Sequence, residues 1–234
     1  MPPSDFASLS GCRAVVTGAS SGIGRAISLE LARAGADCLV HCRASAPKAL
    51  EVVREIESHG RRSTLLLADV SQLADCRRLL QTAWQSFGPI DIWINNAGAD
   101  VLTTSARSLD YASRLKLLLD TDVVSAAFLG RGVAERMAEQ GSGVILNIGW
   151  DQADRGMEGE SGELFAATKN AIMGLTRSLA VTFAPKVRVN AIAPGWIRTA
   201  WGETASDVWQ ERVLRETPLE RWGTPEDIAK AARY

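Results

Sequence analysis

The 234-residue sequence carries no surplus of charge of either sign, with 26 basic residues against 27 acidic ones. Without such an excess it has no electrostatic footprint for nucleic acid or anionic lipid, so neither is expected as a partner. It lacks an apolar run long enough to span a membrane. Residues 1–5 lack the charged-then-apolar pattern of a signal peptide, so a cytoplasmic protein is expected. Cysteine is scarce: Cys12, Cys38, Cys42 and Cys76 form no close CxxC pair. Cys38 and Cys42 fall at even spacing on one face of a predicted strand, with His41 between them on the opposite face. Two thiols are too few ligands for a structural zinc site, so no metal is expected and the cysteines read as small buried hydrophobes. His59, before Gly60, sits at a predicted helix end, where a histidine is unremarkable.

What the sequence does have is a glycine-rich turn, Thr17-Gly18-Ala19-Ser20-Ser21-Gly22-Ile23-Gly24, between the apolar run at 14–16 and a helically spaced segment at 25–32. This strand, tight turn and helix is the geometry that sets a pyrophosphate at a helix N-terminus. Gly18 allows the turn, Gly22 lets the backbone approach the phosphates, and Gly24 lets helix and strand pack closely. Further strands are predicted at 36–42, 63–68, 90–94, 143–148 and 187–193. Ser45 and Ser71 are the expected N-caps of the second and third helices. A long helix is expected over 109–137, another over 161–183, a short one over 205–215 within a Trp-rich connection, and a last one from Pro225. Strands alternating with helices of this length predict one α/β domain with a doubly wound parallel sheet, in strand order 3-2-1-4-5-6.

Five motifs in register over nearly the whole chain resemble the short-chain dehydrogenase/reductase family. They are the glycine turn, Asp69-Val70, Asn95-Asn96-Ala97-Gly98, the run at 190–199, and the run at 221–229 that includes Gly223, Pro225 and Asp227. The resemblance extends to 3-oxoacyl-carrier-protein reductase-like members. It implies a Rossmann-type fold in which Gly18, Ser20, Ser21, Gly22, Ile23 and Gly24 hold the pyrophosphate and adenosine ribose. Asp69 and Val70 would flank the adenine, and Asn96, Ala97 and Gly98 the ribose. Pro194, Gly195, Ile197 and Thr199 would fix the nicotinamide carboxamide, and Lys169 would grip the ribose. Asn95 has the plainer reading of a strut between strands. At the end of the second strand there is no carboxylate to pair with ribose hydroxyls. Arg43 and Ser45 stand there instead, so NADP(H) is expected rather than NAD(H). The competing reading of Arg43 is a solvated surface arginine.

The resemblance also implies a catalytic set of Tyr and Lys in YxxxK, a Ser after the fifth strand, and an Asn on the long helix. Here the first position reads Phe165, four residues before Lys169. Trp150, or Asp151, holds the Ser position, and the stretch from there to Phe165 is about two residues longer than usual. Asp122, or Val123 with a shift of one, holds the Asn position. Only Lys169 survives. General acid catalysis is worth roughly 10²–10⁴-fold, so standard carbonyl reduction is expected to be very slow. Two functions follow as expectations: a non-catalytic or regulatory dinucleotide-binding protein, or an oxidoreductase acting on ketone, 3-oxoacyl or enoyl substrates. The second would have a rebuilt proton donor drawn from Asp122, Asp151, Glu163 or water.

The family continues beyond the equivalent of Tyr234 with a seventh strand and a tail. The expectation is therefore either a truncated chain or a sheet ending at its sixth strand. The resemblance implies a homodimer through the long helices, ahead of a tetramer or a hetero-oligomer with an active relative. Trp196, Trp201 and Trp209 make the segment at 196–217 bulky and apolar. That is compatible with an aromatic ligand, a closed lid or a subunit contact.

Overall fold

In the computed structural model, which describes residues 7–234, six parallel strands form one sheet in the order β3-β2-β1-β4-β5-β6. Residues 1–5, read above for a targeting pattern, lie outside the described residues. The strands are β1 Arg13–Val16, β2 Asp37–Cys42, β3 Ser63–Leu67, β4 Ile92–Asn95, β5 Gly143–Ile148 and β6 Val187–Ile192. Side-chain alternation divides the core. Ala14, Val16, Cys38, Val40, Ile94 and Leu146 face α1 (Gly22–Arg33), α2 (Ala46–Ser58) and α9 (Pro225–Arg233). Val15, Leu39, Trp93, Ile145 and Val189 face α3 (Leu73–Phe87), α5 (Ser125–Gln140) and α6 (Glu160–Phe183). Both faces are covered, and the sheet is the doubly wound, Rossmann-type one expected from the strand–helix alternation.

Local differences from the sequence expectations have physical causes. Ser71 does not cap α3: Gln72 is the N-cap residue, and the Ser71 hydroxyl donates to Asp69 Oδ1 (2.7 Å). Ser45 does occupy the N-cap of α2, but its side chain makes no capping bond, and Pro47 fills the first turn. β4 starts at Ile92 rather than Ile90, because Asp91 turns aside to accept the Arg13 N–H through Oδ2 (2.8 Å).

The single long helix expected at 109–137 is three pieces: α4 (Tyr111–Leu118), one wide π turn (Leu119–Val124), and α5. The wide turn carries Asp122 into the interior, where its Oδ1 accepts the Ala99 N–H (2.8 Å). The Trp-rich connection holds two helices rather than one, α7 (Ala200–Thr204) and α8 (Asp207–Glu216). Among the described residues no helix is long and apolar enough to cross a membrane.

Candidate active site

The carboxyl ends of β1, β2, β3 and β4 are stitched together around Thr17 and Gly18. The Thr17 hydroxyl donates to Ile94 O (3.2 Å) and accepts the Asn96 and Ala97 N–H groups (2.9 and 3.0 Å). Asn96 does not reach outward: its Nδ2 donates to Thr17 O and Gly18 O (2.9 and 3.1 Å), bracing the turn. Gly18 has φ +66°, and a Cβ there would lie 2.8 Å from Ala97 Cα. A Cβ on Gly24 would lie 2.3 Å from Gly18 O. Both positions therefore admit only glycine.

His41 completes the clamp. Its Nδ1 accepts the Gly18 N–H (3.3 Å), and its Nε2 bonds Ala68 O (3.0 Å). Those partners require the neutral ring with the proton on Nε2. Burial agrees, pushing the pKa down from 6.5 to about 4.

These ends open on a cleft of about 610 Å³. It is lined by Gly18, Ser20 and Ser21 from the first turn, Arg43 and Ser45 from the end of β2, Asp69 and Val70 after β3, and Asn96, Ala97 and Gly98 after β4. The geometry fits a dinucleotide. Ser21 is the N-cap of α1 yet makes no side-chain cap bond, so the first amides of α1 are left for an anion. A Cβ built on Gly22 meets only the Thr199 methyl, at 3.6 Å, so that backbone is open to close approach. Arg43 is exposed and makes no ion pair among the described residues. Asp69 Oδ1 is already engaged by Ser71, which leaves Oδ2 for a ligand.

A second cavity of about 340 Å³ brings together Ile23, Trp150, Phe165, Lys169, Pro194, Gly195, Ile197 and Thr199. Trp150 and Phe165 meet edge to face with centroids 6.2 Å apart. Lys169 Nζ lies 3.1 Å from Asp122 Oδ2 and donates to Ile148 O (3.2 Å). Asp122 is thus the counter-ion of Lys169, outside both cavities but joined to each: through Ala99 to the first and through Lys169 to the second.

Asp151 turns its carboxylate toward Gly195. Its Oδ1 is buried without a partner, and burial raises its pKa. Glu163 is exposed and shares a hydrogen bond with Tyr111 instead of entering the cavity. The stretch before Phe165 begins with a short turn, Asp151–Ala153, pinned when Asn170 Nδ2 donates to Ala153 O (2.7 Å). Met157 follows it and lines the cavity.

The family profile described as short chain dehydrogenase matches residues 13–208. The chain belongs to the short-chain dehydrogenase family. A 3-oxoacyl-(acyl-carrier-protein) reductase of Staphylococcus epidermidis is 32% identical over 224 residues, covering 94% of this chain and 89% of that protein. The solved structure of a short chain dehydrogenase from Burkholderia cenocepacia J2315 in complex with NADP is 31% identical, with TM-score 0.85, covering 96% of this chain and 89% of the other. A 7α-hydroxysteroid dehydrogenase complexed with NADH and 7-oxo glycochenodeoxycholic acid is 32% identical, with TM-score 0.89 and coverage of 100% and 90%.

Sequence reasoning passed over three residues that support this site in the structure. His41 was set aside because it faces away from the cysteines, although that face is the one turned to Gly18. Asn147 is buried and accepts from Asn95 Nδ2 (2.9 Å) while donating to Thr176 Oγ1 (2.9 Å), so the Asn95 strut runs on from β4 through β5 to α6. Trp222 backs the Trp-rich segment, with its ring centroid 5.9 Å from that of Trp201. The alternation of β2 carried a signal for His41. The other two depend on contacts across distant elements.

Proposed function

We propose that this chain is an NADP(H)-binding protein on the short-chain dehydrogenase scaffold in which standard ketone reduction is absent or very poor. The observation that carries this reading is the aromatic pair Trp150–Phe165 beside Lys169, where the family's Ser and Tyr would stand. Phe165 has no polar hydrogen and the Trp150 indole N–H is far too weak an acid to protonate an alkoxide, so neither side chain replaces the family's proton donor, and a bound dinucleotide supplies only the hydride. The Lys169 ammonium is held by Asp122 and Ile148 O, so its charge is already compensated.

Arg43 and Ser45 in the first cleft support a preference for NADP(H) over NAD(H). A guanidinium is complementary to a 2′-phosphate, and no carboxylate stands there for ribose hydroxyls. The NADP held by the Burkholderia relative agrees with this, while the steroid dehydrogenase, with NADH, shows that both dinucleotides occur on the fold. Gly18 to Gly24, Asp69, Val70 and Asn96 to Gly98 are assigned to the cofactor, with Pro194, Gly195, Ile197, Thr199 and Lys169 at its nicotinamide end.

A cytoplasmic homodimer is proposed as the working form. The four free cysteines suit a reducing compartment, and Leu119, Val124 and Val181 expose apolar surface on the long helical region and α6.

A second reading, an active oxidoreductase with a rebuilt proton donor, is favoured by one group alone. Asp151 has a raised pKa and an unpartnered Oδ1. Cofactor titration together with NADPH consumption on ketones, 3-oxoacyl and enoyl thioesters separates the two readings. Binding without consumption supports the first, and sustained consumption that is lost in Asp151→Asn supports the second.

A further inference from the structure

We infer that the cavity beside Lys169 takes a planar aromatic ligand, in preference to a polyol, an acid or a saturated chain. This names the ligand class of the site described above, and rests on that reading only in sharing its cavity.

Five of the side chains around this 340 Å³ space are aromatic: Trp150, Phe165, Trp196, Trp201 and Trp209. Its volume falls at the lower end of small-molecule sites, roughly 300–1,000 Å³. Trp196, Trp201 and Trp209 contact one another with centroids 5.9, 5.6 and 5.4 Å apart. Rings that close leave no gap for a cation between them, so they form a wall and not a cage.

The wall is fixed from behind. Trp222 packs on Trp201 and donates its indole N–H to Gln210 Oε1 (2.7 Å), and Gln210 Nε2 donates to Gly202 O and Ala205 O (3.1 and 3.2 Å). Trp196 Nε1 donates to Glu216 Oε2 (3.1 Å), and Arg212 covers the Trp209 ring at 4.8 Å while bonding Glu216 Oε1 (2.7 Å). A wall already ordered loses little side-chain freedom when a ligand arrives.

The same lining includes the edge-to-face Trp150–Phe165 pair. A flat ring can meet such side chains face on or edge on, which a puckered or flexible hydrocarbon cannot do.

Electrostatics narrows the class further. Among the described residues Lys169 is the only charged one on the lining, and it is paired with Asp122. A carboxylate or phosphate would find no uncompensated cation. Among the lining side chains a polyol would find the hydroxyls of Ser161 and Thr199 and single indole N–H donors, too few polar groups to pair all of its hydroxyls, which is unfavourable.

The test is calorimetric titration of the full chain, with and without saturating NADPH, using three probes: 1-tetralone, trans-1-decalone and gluconate. The first two share a skeleton and a carbonyl and differ in one aromatic ring. 1-Tetralone is expected to bind about two- to tenfold tighter than trans-1-decalone, the range of one or two aromatic contacts, and gluconate is expected not to bind. Trp209→Leu and Trp201→Leu should each erase most of that preference while leaving the NADPH titration unchanged. The second variant serves if the first fails to fold. Equal affinity for the two ketones, tighter binding of gluconate, or no ketone binding by a protein that binds NADPH would overturn the inference. 1-Tetralone bound by a protein that does not bind NADPH would uphold it and remove the cofactor reading instead.

Discussion

Lys169 Nζ and Asp122 Oδ2 stand 3.1 Å apart, with side-chain exposures of 15% and 2%. The two residues come from α6 and from the wide turn before α5, and the carboxylate's other oxygen holds the Ala99 N–H. One buried pair therefore ties α6, the wide turn and the segment after β4. Breaking such a pair from one side costs more than its formation contributes, because the remaining charge is left in a poorly solvated place.

Asp122→Ala should destabilise the protein by about 3–5 kcal/mol, lowering Tm by several degrees. Asp122→Asn keeps an acceptor for Ala99 and should cost less. Thermal unfolding of the two variants checks the order, and an unchanged Tm in Asp122→Ala would show that the pair contributes nothing.

His41 gives a pH dependence with a definite sign. Its pKa is lowered by burial from 6.5 to about 4, with the Ala68 carbonyl and the charges of Asp69 and Asp75 opposing in part. Between those values the unfolded chain binds a proton that the folded chain refuses. Stability from this group is therefore full above pH 6.5, falls as the pH drops toward 4, and changes no further below it. The fully expressed loss is about 3 kcal/mol. Urea unfolding at pH 7 and pH 5 should show the decline, and His41→Asn should flatten it. An equal decline in the variant would assign it elsewhere.

Arg43 decides between dinucleotides if the cofactor reading is right. Arg43→Ala should weaken NADPH roughly 10–100-fold, the loss of one charge-assisted contact to phosphate, and leave NADH nearly unchanged. Quenching of the seven tryptophans follows either titration. An unchanged preference for NADPH would make Arg43 a solvated surface residue.

The strand order was legible because apolar runs alternate with helical periods and glycine punctuation, which leaves few right-handed connections to choose among. Gly18 and Gly24 were legible for the same local reason: a turn that tight announces itself. The break in the long helix was not, since Leu119 to Val124 is compatible with an unbroken α-helix. What widens that turn is the burial of Asp122 against Ala99 and Lys169, from segments 23 and 47 positions away in the chain. The role of Asn96 differed for a similar reason: its side chain serves Thr17 and Gly18, in the turn after β1 and far away in sequence. The Trp-rich segment was legible as bulky and apolar. The contact of Trp222 with Trp201, which fixes the wall, depends on a residue beyond the segment itself.

Restoring the site should require several changes together. If Trp150 stands in for the family's Ser as proposed, Phe165→Tyr alone should recover little activity, because no hydroxyl would orient the carbonyl. Phe165→Tyr with Trp150→Ser and Asp122→Asn should recover a partial rate well above that of any single change, since such groups act as a unit. On the same reading the recovery is expected to be partial, because the turn Asp151–Ala153 follows directly on position 150. Steady-state rates for the single and triple variants test this, and a Phe165→Tyr protein as active as the triple variant would show that Trp150 is no obstacle.

The central claim is that this cleft holds NADPH without passing its hydride on by the usual route. NADPH oxidation by the unmodified protein, saturated with cofactor and given 1-tetralone and a 3-oxoacyl thioester, measures it directly. The predicted result is no turnover above the protein-free rate in a sample whose tryptophan quenching proves that NADPH is bound. Sustained turnover of either ketone by that same sample would contradict the claim.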